Sequence, residues 1–245
     1  MDIGIKPPIS ILSINYERYS MSKRKMKQSS NLHFSVSTYF PRTKHQGDSA
    51  LAIQKRNDCL ILGSAGTGKS YLAINKALEL IEAGAYRRLL IIRSTVPTRD
   101  QGFLPGTKEE KQAVYELPYQ TIVNELYSRG DAYGILKQKG TICFESTSYL
   151  RGITLDDTII LLDEVQNCTF EEINTVYTRL GENSQIIICG DFAQTDKGVG
   201  KSGIGKALQI IEQIDKFDIV YMTEDDIVRS DRVKRWIVAS NRLVS

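Results

Sequence analysis

The chain has 245 residues, 41% of them hydrophobic and 25% charged, with a formal charge of +3. That length suits one substantial domain with decorations, and that composition excludes global disorder. The start lacks an apolar signal segment and no stretch approaches a membrane span, so a soluble, cytoplasmic protein with no membrane partner is expected.

Residues 1–45 carry eight Lys/Arg against two Asp/Glu. This sets a basic extension, 1–45, apart from a mildly acidic domain over 46–245. The densest run, Lys23, Arg24, Lys25 and Lys27, lies among Tyr16, Tyr19, His33, Phe34 and Tyr39. The mixture suits phosphate contacts and base stacking, and it is also the composition of a solvated leader, the commoner case. Over 46–56 the apolar positions recur with a helical period, and Cys59-Leu60-Ile61-Leu62 reads as a short buried strand. A glycine-rich turn leads into a helix over 69–83, whose apolar face holds Leu72, Ala73, Ala77, Leu78 and Leu80 and which Gly84 ends. Leu89-Leu90-Ile91-Ile92 is the second strand.

Pro97, Gly102, Pro105 and Gly106 mark 94–108 as a surface loop. A helical region covers much of 109–129, with Pro118 predicted to kink or break it. Strands are predicted at 141–145, 159–162 and 185–189, each followed by polar residues at its carboxyl end, where open parallel sheets place their chemistry. Helices at 171–180 and 203–214, a strand at 218–222 and a closing helix at 231–242 complete the alternation. Trp236, in that last helix, is read as a packing anchor. The pattern predicts an α/β fold of the P-loop NTPase kind, a mostly parallel sheet with helices on both faces and right-handed crossovers. Cys59, Cys143, Cys168 and Cys189 are widely separated, and neither a zinc site nor a disulfide scaffold follows from their spacing.

The strongest motif is Gly63-Ser64-Ala65-Gly66-Thr67-Gly68-Lys69-Ser70. It has strict phosphate-loop spacing and sits between a predicted strand and a predicted helix. Glycines let successive N–H groups point into one concavity, and the helix start adds unpaired donors and positive dipole charge. Lys69 then reaches the β and γ phosphates, and the Ser70 hydroxyl coordinates Mg2+. ATP with its Mg2+ is the expected ligand. Asp163-Glu164 closes the apolar run Ile159-Ile160-Leu161-Leu162. Asp163 is expected to hold the metal if its strand neighbours the phosphate-loop strand, and Glu164 to orient or deprotonate the attacking water. Gly190-Asp191-Phe192-Ala193-Gln194 follows another strand end, making Gln194 a candidate γ-phosphate sensor. Arg93, Arg151, Arg179 and Arg229 are candidates for neutralising transition-state charge, and their order along the chain does not choose among them.

Taken with Gly102-Phe103-Leu104-Pro105-Gly106, Leu150-Arg151-Gly152, Leu162-Asp163-Glu164-Val165-Gln166-Asn167, Thr178-Arg179-Leu180-Gly181 and Asp226-Ile227-Val228-Arg229, these motifs resemble the PhoH-like family of phosphate-loop ATPases over about residues 44–242. The resemblance implies a core similar to the first motor domain of superfamily 1 helicases, ATPase activity and an RNA-related role. It implies that Gln46 pairs with the adenine edge, although His45 stands where the family usually has Asn. It gives Lys69, Ser70, Asp163, Glu164, Gln194 and Arg229 the nucleotide-site roles, with Arg229 acting within its chain or across a subunit boundary. Some relatives carry an acid-rich nuclease domain, and the short basic extension does not match one, so no ribonuclease activity is expected. One motor domain leaves a wall of the nucleotide cleft to a neighbour, which favours a ring-shaped homohexamer. The expected activity is ATP-driven remodelling of single-stranded nucleic acid, RNA favoured. An ATP-gated scaffold and, less well supported, a small-molecule kinase are the alternatives.

Overall fold

The structure, a computed structural model, describes residues 35–94, 108–147, 152–191 and 202–244. In chain order the elements are α1 (Lys44–Gln54), β1 (Asp58–Leu62), α2 (Lys69–Glu82), β2 (Arg88–Arg93), α3 (Lys108–Leu126), α4 (Ala132–Gln138), β3 (Ile142–Ser146), β4 (Thr158–Asp163), α5 (Phe170–Tyr177), β5 (Gln185–Gly190), α6 (Ile204–Ile211), β6 (Phe217–Tyr221) and α7 (Asp231–Val244). Single 3-10 turns follow β4 and β6, at Val165–Asn167 and Glu224–Asp226.

The strands form one parallel sheet in the order β3-β2-β4-β5-β1-β6. β4 and β5 are buried at every position, as their unbroken apolar runs require of central strands covered on both faces. The edge strand β3 alternates buried with half-buried positions. Leu62 pairs in register with Gly190 and with Tyr221, Leu162 with Ile188, and Arg93 with Asp163. The residues just past these pairs therefore emerge along one carboxyl edge of the sheet, which is where the site forms.

Two expectations are corrected and one element is added. Pro118 does not break its helix: α3 runs unbroken from Lys108 to Leu126. A proline frees the carbonyl four residues earlier, and here that residue is Val114, itself exposed, so water reaches what the missing N–H leaves unpaired. The short helix α4 escapes sequence reading because seven residues with Gly134 inside carry little periodicity. It is held by buried Ala132, Tyr133 and Leu136 and by Asn124 Oδ1 accepting from the Tyr133 N–H at 2.9 Å. Trp236 is not a packing anchor. The half-buried side of α7 carries Lys234, Ile237, Val238 and Asn241, and Trp236 points away from it, 78% exposed. No helix among the described residues is long and apolar enough to cross a membrane.

Candidate active site

β1 hands directly to the phosphate loop, and Gly66 and Gly68 both sit in the left-handed region, at φ 82° and 83°. A side chain at either would strain the turn, so the loop curls only because both are glycine. Gly68 is the N-cap of α2, no side chain caps that helix, and its first turn carries no acid. The start of α2 thus keeps its N–H groups and positive dipole end for an anion. The Lys69 ammonium donates to the Gly63 carbonyl at 2.5 Å and the Ser64 carbonyl at 2.9 Å, curled over the loop it would share with a phosphate. Gln46, fully buried, braces the loop from behind. Its amide N–H donates to the Thr67 carbonyl at 2.9 Å, while its oxygen accepts from the Tyr39 hydroxyl at 3.0 Å and the Arg42 N–H at 2.8 Å.

Asp163 ends β4, and here the premise on strand neighbours fails: β5 lies between β1 and β4. The carboxylate still reaches the loop, because α2 crosses the sheet and packs on β2, β4 and β5. The Ser70 hydroxyl donates to Asp163 Oδ1 at 3.0 Å. The Tyr119 hydroxyl, from α3, donates to Asp163 Oδ2 at 2.9 Å. Burial first, and the charge of Glu164 second, push the Asp163 carboxyl above its ordinary range, against the pull of Ser70 and Tyr119. Against its own burial, Arg93 is held charged by Tyr119, Glu164 and Asp163. Two adjacent acids at a buried strand end, one sharing a hydroxyl with the loop, form an oxygen donor set at the mouth of the loop. That fits Mg2+, which takes one or two carboxylates and completes its shell with phosphates and water.

Glu164 is a non-glycine residue at φ 54°, a conformation costing about 1 kcal/mol or more and concentrated at functional positions. The turn behind it holds this geometry, with the Asn167 N–H on the Glu164 carbonyl at 2.9 Å. Gln166 then fixes the side chain. Its amide donates to Glu164 Oε2 at 2.5 Å, and its oxygen accepts from the Asp191 N–H at 3.0 Å. The candidate base is thereby tied to the strand end that leads toward Gln194. A Cβ on Gly190 would lie 2.6 Å from Val165 Cγ1 and 2.9 Å from Gln166 Oε1, so this brace needs a glycine beside it. Gly190→Ala is therefore expected to cost about 1 to 3 kcal/mol of stability and to lower turnover by displacing Gln166. An unchanged melting temperature together with unchanged turnover would show that the brace yields freely.

Arg229 joins the site from the segment after β6. The Val228 N–H donates to the Gly66 carbonyl at 3.0 Å, and the Arg229 side chain runs alongside Gly66. Asp226, which begins this motif, accepts from His45 Nδ1 at 2.8 Å and from the Thr223 N–H at 2.7 Å, so His45 anchors the segment to α1. A cavity of about 380 Å³ results, bordered by Gly66, Lys69, Ser70, Asp163, Glu164 and Arg229. Arg93 borders the acids. Arg179 lies at the opposite edge of the sheet, where its carbonyl accepts from the Leu155 N–H ahead of β4. Arg151, Gln194 and the Gly102 to Gly106 loop lie outside the described residues. Tyr119 and Gln166 are the site residues that sequence reasoning misses. Gln166 lies inside a recognised motif, two residues past Glu164, and its polar side chain beside an apolar strand end is the available signal.

The PhoH-like protein family model matches residues 39–241. A PhoH-like protein of Bacillus subtilis is 36% identical over 196 residues, which are 78% of this chain and 61% of that one. Protein PhoH of Escherichia coli K12 is 33% identical over 191 residues, covering 77% of this chain and 54% of that one. The chain thus spans about three fifths or less of these relatives' length. Among solved structures, the large terminase from a thermophilic bacteriophage superposes with a TM-score of 0.50 at 12% identity, covering 80% of this chain and 50% of that one, a likeness of fold alone. A phosphate loop, an acid pair and an arginine on this sheet, with matches of that extent and identity, place the chain in the PhoH-like protein family.

Proposed function

We propose that the protein is an ATPase that couples hydrolysis to binding and remodelling of single-stranded nucleic acid, RNA favoured. The observation that carries the hydrolytic half is the 3.0 Å contact between Ser70 and Asp163 over the uncapped start of α2. On this reading Lys69 leaves the Gly63 and Ser64 carbonyls for the β and γ phosphates, and the loop N–H groups hold the remaining phosphate oxygens. Ser70 and Asp163 would hold Mg2+, which when bound would supply neutralisation of the phosphate charge. Glu164, aimed by Gln166, orients the water and accepts its proton, and Arg229 offsets charge developing on the γ-phosphate from within its own chain. Gln194 reports the presence of that phosphate. Gln46 selects adenine only by exchanging a present partner, Tyr39 or Arg42, for the base.

Support for the nucleic-acid half comes from α7. Trp236 is exposed on a helix that also presents Arg232, Arg235 and Arg242, a stacking platform among phosphate-binding cations. Ile237 of the same helix packs against Gly66, so the surface and the phosphate loop share one element. Exposed Val114 and Leu117 on α3 supply apolar surface for the ring, with a hexamer favoured.

The test is ATP turnover with matched single-stranded RNA, single-stranded DNA and duplex, on a preparation whose mass in solution is measured. Stimulation by single strands, RNA most, is expected. Trp236→Ala should lower the ratio of stimulated to basal turnover by about threefold or more, given the usual worth of one base stacked on an aromatic ring. Stimulation by a protein partner alone would favour the scaffold reading, and phosphate transfer to a small molecule would favour a kinase.

A further inference from the structure

The carboxylate of Asp163 is engaged on both sides by different kinds of partner. Its Oδ1 accepts from Ser70, a hydroxyl that belongs to the phosphate loop. Its Oδ2 accepts from Tyr119, a side chain that takes no part in the loop and is 1% exposed. The direction of that second bond is fixed. An ionised carboxylate only accepts, so the single proton of the Tyr119 hydroxyl goes to Asp163. The ring cannot easily drift from this position, because it packs against Phe144 at a centroid distance of 5.5 Å within the core.

From this geometry we infer that Tyr119 is a specificity-determining residue for the cation: its bond to Oδ2 fixes the rotation of the Asp163 carboxylate and favours contact through a single oxygen, making the site selective for Mg2+ over Ca2+. The inference rests on the Mg-nucleotide reading above. Mg2+ demands near-octahedral geometry with short, single-oxygen contacts, whereas Ca2+ takes more ligands and readily accepts both oxygens of one carboxylate. A carboxylate whose rotation is fixed at Oδ2 by a buried donor suits the first ion and disfavours the two-oxygen contact of the second. Tyr119 touches neither nucleotide nor cation in this scheme; it acts through Asp163 and is a positioning residue.

Phenylalanine at 119 keeps the ring and its packing on Phe144 and deletes only the donor. The experiment is calorimetric titration of wild type and Tyr119→Phe with non-hydrolysable ATP analogue, once in Mg2+ and once in Ca2+, so the readout is binding and not turnover. Wild type is expected to bind the analogue more tightly with Mg2+. The variant is expected to narrow the Mg2+ to Ca2+ affinity ratio by about three- to tenfold, chiefly by gaining affinity in Ca2+. An unchanged ratio in a folded variant overturns the assignment. If the variant fails to fold, the wild-type arm decides alone: equal affinity in the two ions would mean that the carboxylate is not restricted, and the inference falls. Absence of analogue binding to wild type in either ion would instead remove the nucleotide reading on which it stands.

Discussion

Replacing Glu164 with Gln is expected to lower ATP turnover by about a hundredfold or more while leaving Mg-ATP affinity within a few-fold of wild type. The substitution is nearly isosteric. Glutamine at 164 still presents an oxygen to the Gln166 amide, so the bridge to Asp191 survives, and the left-handed backbone at this position costs about the same for either residue. What disappears is the proton acceptor. Asp163 and Ser70, which carry the metal in the proposed scheme, are untouched. Calorimetric binding and phosphate release on one preparation separate the two effects, and wild-type release rates in a folded variant would remove Glu164 from the role of base.

The second large effect is expected for Lys69→Ala, which should weaken Mg-ATP binding by roughly a hundredfold or more. A lysine shared between two phosphates contributes charge-assisted hydrogen bonds, each about 1.5 to 3 kcal/mol, and alanine supplies none. The fold should survive, because the carbonyls that Lys69 now serves, Gly63 and Ser64, belong to a half-buried loop that water reaches. The loop also keeps the Thr67 hydroxyl on the Ser64 carbonyl and the Gln46 amide on Thr67. A melting temperature near that of wild type with analogue affinity lowered by about that factor is the predicted pair of results. Retained affinity would mean that the backbone N–H groups alone hold the phosphates.

The parts of this site that are legible in the sequence are those set by neighbours in the chain. A phosphate loop is a run of backbone angles dictated by glycines and a helix start, and the strands before Gly63, Asp163 and Gly190 each announce themselves as apolar runs with a polar end. What cannot be read is what the crossovers decide. Nothing in the local pattern of β4 or β5 says which of them lies beside β1, since both are continuously apolar and both end in polar residues. Adjacency to β1 is the premise on which sequence alone gives Asp163 its role. The residue instead meets Ser70 with β5 intervening, because a helix axis spans several strands where a hydrogen-bonded ladder spans one. Tyr119 is hidden for a related reason. It is 44 residues from the acid it orients, in a helix whose proline draws attention to a break that solvent makes unnecessary. Trp236 misleads through residue type alone, since a large aromatic in a terminal helix is ordinarily buried.

That last side chain has a practical corollary. It is the chain's single tryptophan, set in water on a helix whose inner face rests against Gly66. Its emission under ultraviolet excitation belongs to one known position, red-shifted while the indole is wet and moving toward the blue when a stacked base or a neighbouring subunit covers it. The protein therefore carries an intrinsic optical gauge, and a stopped-flow trace from the unmodified chain would time the arrival of a strand without any dye being attached.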